Sequence, residues 1–311
     1  MAVSLKLSRA TDRTDAAAGE EPAQVAAVIV NYNAGESLTG CIASIAADGV
    51  EEIVVVDNAS VDGSAERAAD SFPDVLVVRP GRNLGYGAGA NRGAAETSAP
   101  YILVCNPDLV VVPGAVRCLV EVLEKNGDVG LAGPMMRELS GVVYPSGREF
   151  PSLTDAVGHA FLGLVWGGNP WTRRYRHLGS EQHRARDADW VSGAFFVVRR
   201  LAFESVGGFD ERYFMYLEDV DLCWRLHRAG WRVRYEPDAE VVHEQGRSAS
   251  RHPYSMLLAH HVSMWRFARR TAERSEKMLL PLVFLGLLVR VVLAWAEHLA
   301  SPRSRLRRGR R

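Results

Sequence analysis

The first half of the chain alternates short apolar runs with amphipathic stretches. Val25–Val30, Ile53–Val56, Val75–Val78 and Tyr101–Cys105 are apolar throughout. Such runs predict strands covered on both faces, as in a parallel sheet. Between the first two, Leu38, Cys41, Ile42 and Ile45 recur at helical spacing and predict a helix from about Glu36 to Asp48. Asp62-Gly63-Ser64 opens a second helix to about Asp70, and a small-residue helix runs through Asn91 to about Thr97. This β-α-β-α-β-α-β order predicts a doubly wound α/β fold. Ligands of such folds bind at the carboxyl ends of the strands.

The second half is less regular. A helix is expected over Ala115–Lys125, a strand over Val129–Met135 and another over Trp190–Arg199. Glu218 opens a helix to about Ala229, with Gly230 as its stop, and short strands follow at Arg232–Tyr235 and Glu240–Val242. Residues 137–187 are rich in Gly, Pro, Arg and Trp and predict a long variable loop region near the site. The organisation read from these patterns is an arm over residues 1–24, a catalytic domain over 25–250, C-terminal helices over 251–300 and a basic tail over 301–311. The arm is Ala-rich and polar, lacks the apolar core of a signal peptide, and is expected to be disordered.

Composition changes this picture little. The chain has 311 residues, 47% of them hydrophobic and 24% charged, with 37 basic and 37 acidic side chains. The neutral balance hides an uneven distribution, because six arginines fall in the last nine residues and leave the body net acidic. No nucleic-acid partner is expected. Cys41, Cys105, Cys118 and Cys223 show no CxxC spacing and read as core thiols of a reducing compartment.

Three places carry candidate chemistry. The strand Tyr101–Cys105 ends in Asn106-Pro107-Asp108, which holds a carboxylate at the ligand edge beside Asp57. Asp108 there can hold Mg²⁺ or Mn²⁺ against a diphosphate, or it can cap the helix that begins near Pro113. Glu218, Asp219 and Asp221 crowd three acids into four residues. They complement the helix dipole, or their mutual repulsion raises a pKa and suits a general base. The glycine-rich loop Gly81–Gly87 follows the third strand, which is the wrong place for a hydride-transfer fingerprint. Its glycines serve close packing, and its amides with Arg82 can also face a phosphate or nucleoside. A phosphate-binding GxxxxGK[ST] loop is absent from the sequence. His243 is either structural or a further metal ligand.

Several linked motifs carry a resemblance over about residues 25–245. They are VIVNYN at 28–33, VVDNASVDGS at 55–64, NLGYGAGANRG at 83–93, NPD at 106–108, SGAFFVVRR at 192–200 and GGFDERYFMYLEDVDLCWR at 207–225, with His243 beyond them. Together they resemble the family 2 inverting glycosyltransferases of GT-A fold, and within them the bacterial rhamnosyltransferases. The most similar group moves L-rhamnose from dTDP-L-rhamnose to N-acetylglucosaminyl-diphospho-polyprenol in making the actinobacterial cell-wall linker. The resemblance implies a GT-A nucleotide-sugar-binding fold with a mostly parallel central sheet. It implies nucleotide-sugar contacts from Asn31, Asn33, Asp57, Asn58, Arg82, Asn83, Gly85, Asn91 and Asn106. It implies a divalent cation, Mg²⁺ or Mn²⁺, at Asp108 and His243. Asp219 matches the base position with Glu218 beside it, and Trp190, Gly193 and Asp221 border the acceptor. Asn106 stands where many members carry the first acid of a DxD pair, which leaves Asp108 as the direct carboxylate ligand. Another donor such as a UDP-hexose, a polysaccharide acceptor, or a non-catalytic nucleotide- or glycan-binding scaffold are the competing readings.

The C-terminus adds an independent clue. Met278–Ala296 is apolar nearly all round, interrupted by Pro281 and Arg290, and basic residues flank it on both sides. A single crossing would place one basic flank outside, against the positive-inside bias. The expected arrangement therefore lies in, or re-enters, the inner leaflet at the cytoplasmic face of the cell membrane. A buried or homo-oligomer-forming helix is the alternative. Helix 253–273 is expected to bridge the catalytic domain to that surface.

Overall fold

The computed structural model describes residues 24–150, 182–243 and 253–300. The expected arm (but for residue 24), the basic tail and the middle of the 137–187 region lie outside the described residues. The apolar runs form the expected parallel half-sheet. β1 (Val25–Asn31) lies between β2 (Glu52–Asp57) and β4 (Tyr101–Cys105), and β3 (Leu76–Val78) pairs on the outer side of β2, all parallel. Register sets Asn31 directly beside Asp57 at the carboxyl ends. Helices α1 (Ser37–Ala47), α2 (Ser64–Ser71) and α3 (Tyr86–Ala94) are the connections.

Beyond β4 the sheet becomes mixed. β5 (Leu109–Val111), α4 (Ala115–Lys125) and β6 (Val129–Glu138) follow β4 in the chain. Short strands β7 (Val143–Tyr144), β8 (Gly147–Arg148), β9 (Arg186–Asp187) and β10 (Trp190–Val191) precede β11 (Phe195–Arg199). Then come α5 (Arg200–Ser205), α6 (Glu218–Arg228) and β12 (Arg232–His243). The sheet order is β3-β2-β1-β4-β11-β6-β12-β5, with β11 antiparallel to both β4 and β6.

Three details differ from the sequence reading. β5 intervenes between Asp108 and α4, because Leu109 and Val111 face the core and the strand pairs with the end of β12. Three residues are too few for the alternation to stand out in sequence. Trp190–Arg199 is two strands rather than one, split at Ser192-Gly193-Ala194, with the first part paired to β8. The two short strands at 232–242 are one strand, irregular between Glu236 and Glu240. Pro237, which has no N–H to donate, sits in that irregularity. Asp108 does not cap α4. The Asp48 carboxylate at the end of α1 does, accepting the N–H groups of Gly114 and, at 2.8 Å, Val116.

The period-2 alternation of the strands divides the core into two layers. Ala27, Ile29, Leu103 and Cys105 face α1 and α4, whose Leu38, Ile42, Ile45, Leu119 and Leu123 are buried. Val28, Val30, Ile102 and Val104 face α3 and α6, meeting Ala90, Ala94, Leu222 and Leu226. Cys41, Cys105 and Cys223 are buried free thiols and Cys118 is half-buried, as expected. Helices α7 (Pro253–Thr271) and α8 (Leu280–Ala300) pack on each other through Ala268, Ala272, Val283 and Leu287. α7 also packs on the body of the α/β fold, where Phe267 meets Tyr213 and Val220. Among the described residues no helix is long and apolar enough to cross a membrane.

The small residues of α3 let it lie close on the sheet. A Cβ at Gly93 would run into Val28 Cγ1 and stand 2.9 Å from Val56 Cγ2, both on fully packed strands. Gly93→Ala is therefore expected to destabilise the fold by about 1–3 kcal/mol, the usual cost of overpacking. Urea unfolding checks this: the midpoint falls, whereas an unchanged midpoint would show that the α3–sheet contact has slack.

Candidate active site

The first part of the site is built where β1 and β2 end. Asn31 is fully buried, and its Nδ2 faces Asp57 Oδ1 at 3.1 Å, Ser60 Oγ at 3.1 Å and Ser64 Oγ at 2.9 Å. Three surrounding oxygens fix which way the amide points. Its Oδ1 is buried without a partner among the described residues. Asp57 Oδ1 also accepts the Ser60 N–H, so this carboxylate is held in place at the strand end. Asn33, with φ 53°, donates its N–H to Ser60 Oγ and accepts the Val61 N–H on its side chain. Asn58 Nδ2 donates to the Gly85 carbonyl at 3.0 Å, and Asn83 Oδ1 accepts the Gly85 N–H at 2.9 Å. Arg82 is exposed on the same loop. Asn31, Asn33, Asn58 and Asn83 thus shape the loops around Asp57.

The glycine loop is tied to the other half of the site. Gly85 has φ 90°, and a Cβ there would strike the Phe214 carbonyl. Tyr86 N–H donates to that carbonyl at 3.1 Å, and Tyr86 OH donates to the Gly193 carbonyl at 2.5 Å. On the opposite side of Gly193, its N–H donates to Asp219 Oδ2 at 2.7 Å. Gly193 allows this approach because it has no side chain; an added Cβ would stand 2.9 Å from Asp219 Cβ.

Tyr216 and Leu217, at φ 67° and 62°, turn the chain sharply into α6. Left-handed backbone at two non-glycine residues is strained, and strain of this kind collects at functional sites. The turn delivers Glu218 and Asp219 at the helix start. Glu218 is 6% exposed, and its Oε2 has no hydrogen-bond partner among the described residues. Burial, reinforced by the adjacent Asp219, pushes its carboxyl up to about 8, so it holds a proton at neutral pH. Burial also raises Asp219, but the Gly193 and Val220 N–H groups and the Arg148 charge act in the opposite direction. With the Gly193 and Val220 N–H groups both on its carboxylate, Asp219 is the better placed base of the pair.

Asp108 and His243 meet across β5 and β12, where Leu109 pairs with His243. Asp108 Oδ1 lies 3.1 Å from His243 Nε2, and both side chains are partly exposed. No group of three or more ligating side chains that could hold a metal occurs among the described residues. A carboxylate and an imidazole nevertheless fit a cation that takes its remaining ligands from phosphate oxygens and water, as Mg²⁺ and Mn²⁺ do.

A cavity of about 450 Å³ joins Tyr86 of the glycine loop, the Glu218–Asp219 pair and His243, whereas Asn31, Asp57 and Asp108 are not among its lining residues. Asn106, Trp190, Gly193, Glu218, Asp219 and His243 line it. So do Tyr86, Tyr144, Arg148, Ser192 and His260, to which the sequence reading gave no role. Met264, Phe267, Ala268 and Thr271 of α7, with Val283 of α8, make a largely apolar wall. Burial, with His261 and Arg290 nearby, lowers His260 to about 4, so its imidazole is neutral. Tyr86 stands inside a quoted motif, but nothing local marks its hydroxyl as the one that reaches Gly193. Arg148 and the α7 residues come from regions read as variable loop and membrane bridge.

Two sequence assignments are corrected. Asp221 does not border the acceptor. It is fully buried and accepts from Arg225 Nε at 2.7 Å, Arg270 Nη1 at 3.0 Å and Tyr213 OH at 3.3 Å. Asn91 faces the Gly208-Phe209 turn instead of a nucleotide. Its Nδ2 donates to the Phe209 carbonyl and to Glu211 Oε1, and its Oδ1 accepts the Phe209 N–H.

The sequence profile described as "Glycosyl transferase family 2" matches residues 26–207, and "Glycosyl transferase family group 2" matches residues 171–297. N-acetylglucosaminyl-diphospho-decaprenol L-rhamnosyltransferase of Mycobacterium tuberculosis is 40% identical over 298 residues, covering 91% of this chain and 94% of that one. Rhamnosyltransferase WbbL of Escherichia coli is 32% identical over 168 residues, 51% of this chain and 61% of that one. Among solved structures, mannosyltransferase PcManGT from Pyrobaculum calidifontis with GDP-Man and Mn²⁺ superposes with TM-score 0.55 at 17% identity. It covers 91% of this chain and 78% of that one. At that identity the likeness concerns the fold alone, and it agrees with the mixed sheet described above.

The Glu218 proton has a measurable consequence. A carboxyl titrating at 4.5 when unfolded and at about 8 when folded holds a proton in the native state that the unfolded chain releases. Stability is therefore lost as pH rises through that window and is constant in this respect above it. Glu218→Gln removes the loss, so unfolding midpoints followed from pH 5 to 8 should fall less steeply than in the wild type. An equal slope in the two proteins would show that Glu218 ionises normally.

Proposed function

The chain belongs to glycosyl transferase family 2, and on that premise we propose that it transfers L-rhamnose from dTDP-L-rhamnose to an N-acetylglucosaminyl-diphospho-polyprenol. The observation that carries the reading is the Glu218–Asp219 pair. One member is buried with its carboxyl pushed up by that burial, and the other is held by the Gly193 N–H in a cavity that also contains His243 and a largely apolar wall. The 40% identity over nearly the full length of an L-rhamnosyltransferase supports the choice of sugar and acceptor.

The nucleotide sugar lies along the edge formed by Asn31, Asp57 and Asp108. A divalent cation held by Asp108 and His243 would neutralise the leaving diphosphate. Asp219 takes the proton from the attacking hydroxyl of the acceptor sugar, and that oxygen bonds to the anomeric carbon from the face opposite the diphosphate. The bond from the anomeric carbon to the diphosphate oxygen breaks, dTDP leaves, and the configuration inverts. Glu218, kept neutral by burial, adds no second negative charge beside the base. Tyr86 and Asp219, by binding the carbonyl and the N–H of Gly193, tie the donor loop to the base through that one residue.

The acceptor's lipid requires a membrane surface. α8 turns Val283 and Leu287 onto α7 while leaving Leu282, Phe284, Leu285, Leu288 and Val292 exposed. With the basic flanks at Arg266–Lys277 and at the tail, this supports peripheral attachment at the cytoplasmic leaflet, α8 lying in the interface.

Product formation tests the reading directly. The purified protein, dTDP-L-rhamnose and a short-chain GlcNAc-diphospho-lipid should yield the rhamnosylated lipid with Mg²⁺ or Mn²⁺, and EDTA should abolish it. Transfer from a UDP-hexose instead would discard the rhamnosyl assignment, and full turnover in EDTA would discard the metal at Asp108 and His243.

A further inference from the structure

Among the described residues that line the catalytic cavity, Arg148 is the one arginine or lysine. It sits on β8, opposite Trp190 of β10 in the two-stranded ladder. Its guanidinium carbon lies 4.8 Å from the Tyr144 ring centre and 5.1 Å from that of Trp190, so the plane is held between two aromatic side chains. Its Nε donates to the Pro145 carbonyl at 2.5 Å. That bond and the two rings fix the fork while leaving the two Nη groups for another partner. Among the described residues no carboxylate lies within ion-pair distance of it. Arg137, Arg225, Arg232 and Arg270, by contrast, each have one.

The surroundings of Arg148 say what that partner is. On one side its charge acts on Asp219, the proposed base. On the other, Trp190 packs in the apolar cluster of Tyr213, Val220 and Phe267, and Phe267 belongs to the largely apolar wall of the cavity. A fixed, uncommitted guanidinium thus shares one cavity with the proposed base and with a surface suited to hydrocarbon. An acceptor with its sugar at Asp219 and its lipid along α7 must place the linking group between them. A rigid fork of N–H donors matches phosphate oxygens in charge and geometry.

Resting on the acceptor class proposed above, we propose that Arg148 binds the diphosphate joining the acceptor sugar to its lipid, and so selects diphosphate-linked acceptors over uncharged glycosides. It is a specificity-determining residue that takes no proton. The apolar wall formed by Met264, Phe267 and Val283 receives the first part of the lipid chain.

The test compares the wild type with Arg148→Gln and Arg148→Lys on two short-chain acceptors, a GlcNAc-diphospho-lipid and an uncharged alkyl GlcNAc glycoside. Losing one charge-assisted phosphate contact should raise KM for the diphospho-lipid about tenfold or more in Arg148→Gln. KM for the glycoside and for the donor should stay near the wild-type value. Arg148→Lys, which keeps the charge without the fork, should fall between. An equal loss on both acceptors would overturn the proposal, since Arg148 would then act by supporting Trp190 or by tuning Asp219. A rise confined to the donor KM would overturn it too and place Arg148 on the donor side. Acceptor binding without donor, followed by tryptophan fluorescence, separates this proposal from the choice of sugar. If no rhamnose is transferred but the wild type still prefers the diphospho-lipid and Arg148→Gln does not, the rhamnosyl reading fails and the diphosphate site stands. No preference in the wild type would remove the site itself.

Discussion

The arrangement of the site depends on the backbone of one residue, Gly193. Its carbonyl accepts from Tyr86 on the donor side, and its N–H donates to Asp219 on the catalytic helix. Three pieces of chain far apart in sequence meet there: the start of α3, the break between β10 and β11, and the start of α6. A residue with a side chain at 193 would crowd Asp219, and a residue with a side chain at 85 would crowd Phe214. Gly85 thus lets the start of α3 meet the backbone at Phe214, in the turn before α6, and Gly193 lets its own backbone meet the Asp219 side chain.

The proposed base is supported from the far side by a buried ion network. Asp221 receives Arg225 from its own helix and Arg270 from α7, and Arg270 also reaches Asp210 in the turn before α6. Arg212 first, and Arg270 after it, hold the Asp210 carboxyl well below the usual range. Removing one partner from a set like this leaves charge stranded in the interior, which is far more costly than the pairing is favourable. α7 is therefore fixed to the catalytic helix by charge as well as by Phe267. The helix pair proposed to meet the membrane is thus anchored to the helix that carries Asp219.

Much of this was legible in the sequence where the signal is local. The runs at Val25, Ile53 and Tyr101 are apolar because both faces of those strands are covered, and register then follows at Asn31 and Asp57. Glu218 and Asp219 announced themselves by charge density and by the motif around them. Asp221 misled because three acids in a row look equivalent in a string. On a helix, residues two apart point about 200° from each other, so Asp221 and Asp219 cannot face the same cavity. Asn91 was misassigned for a related reason: its partner, the Phe209 turn, lies in the second half of the chain. β5 was missed because an edge strand of three residues carries too little pattern. Arg148, His260 and the α7 wall were invisible because antiparallel pairing and helix docking, both long-range, bring them to the cavity.

The central claim is that Asp219 removes the acceptor proton, and Asp219→Asn tests it most directly. Asparagine keeps the size of the side chain and can still accept the Gly193 N–H, but it cannot take a proton. Rhamnosyl transfer and dTDP affinity should be measured on the same preparation. The account predicts that transfer falls by at least about a hundredfold, the usual contribution of a positioned base, while dTDP binds as in the wild type. Transfer at the wild-type rate would contradict it and show that the proton leaves by another group.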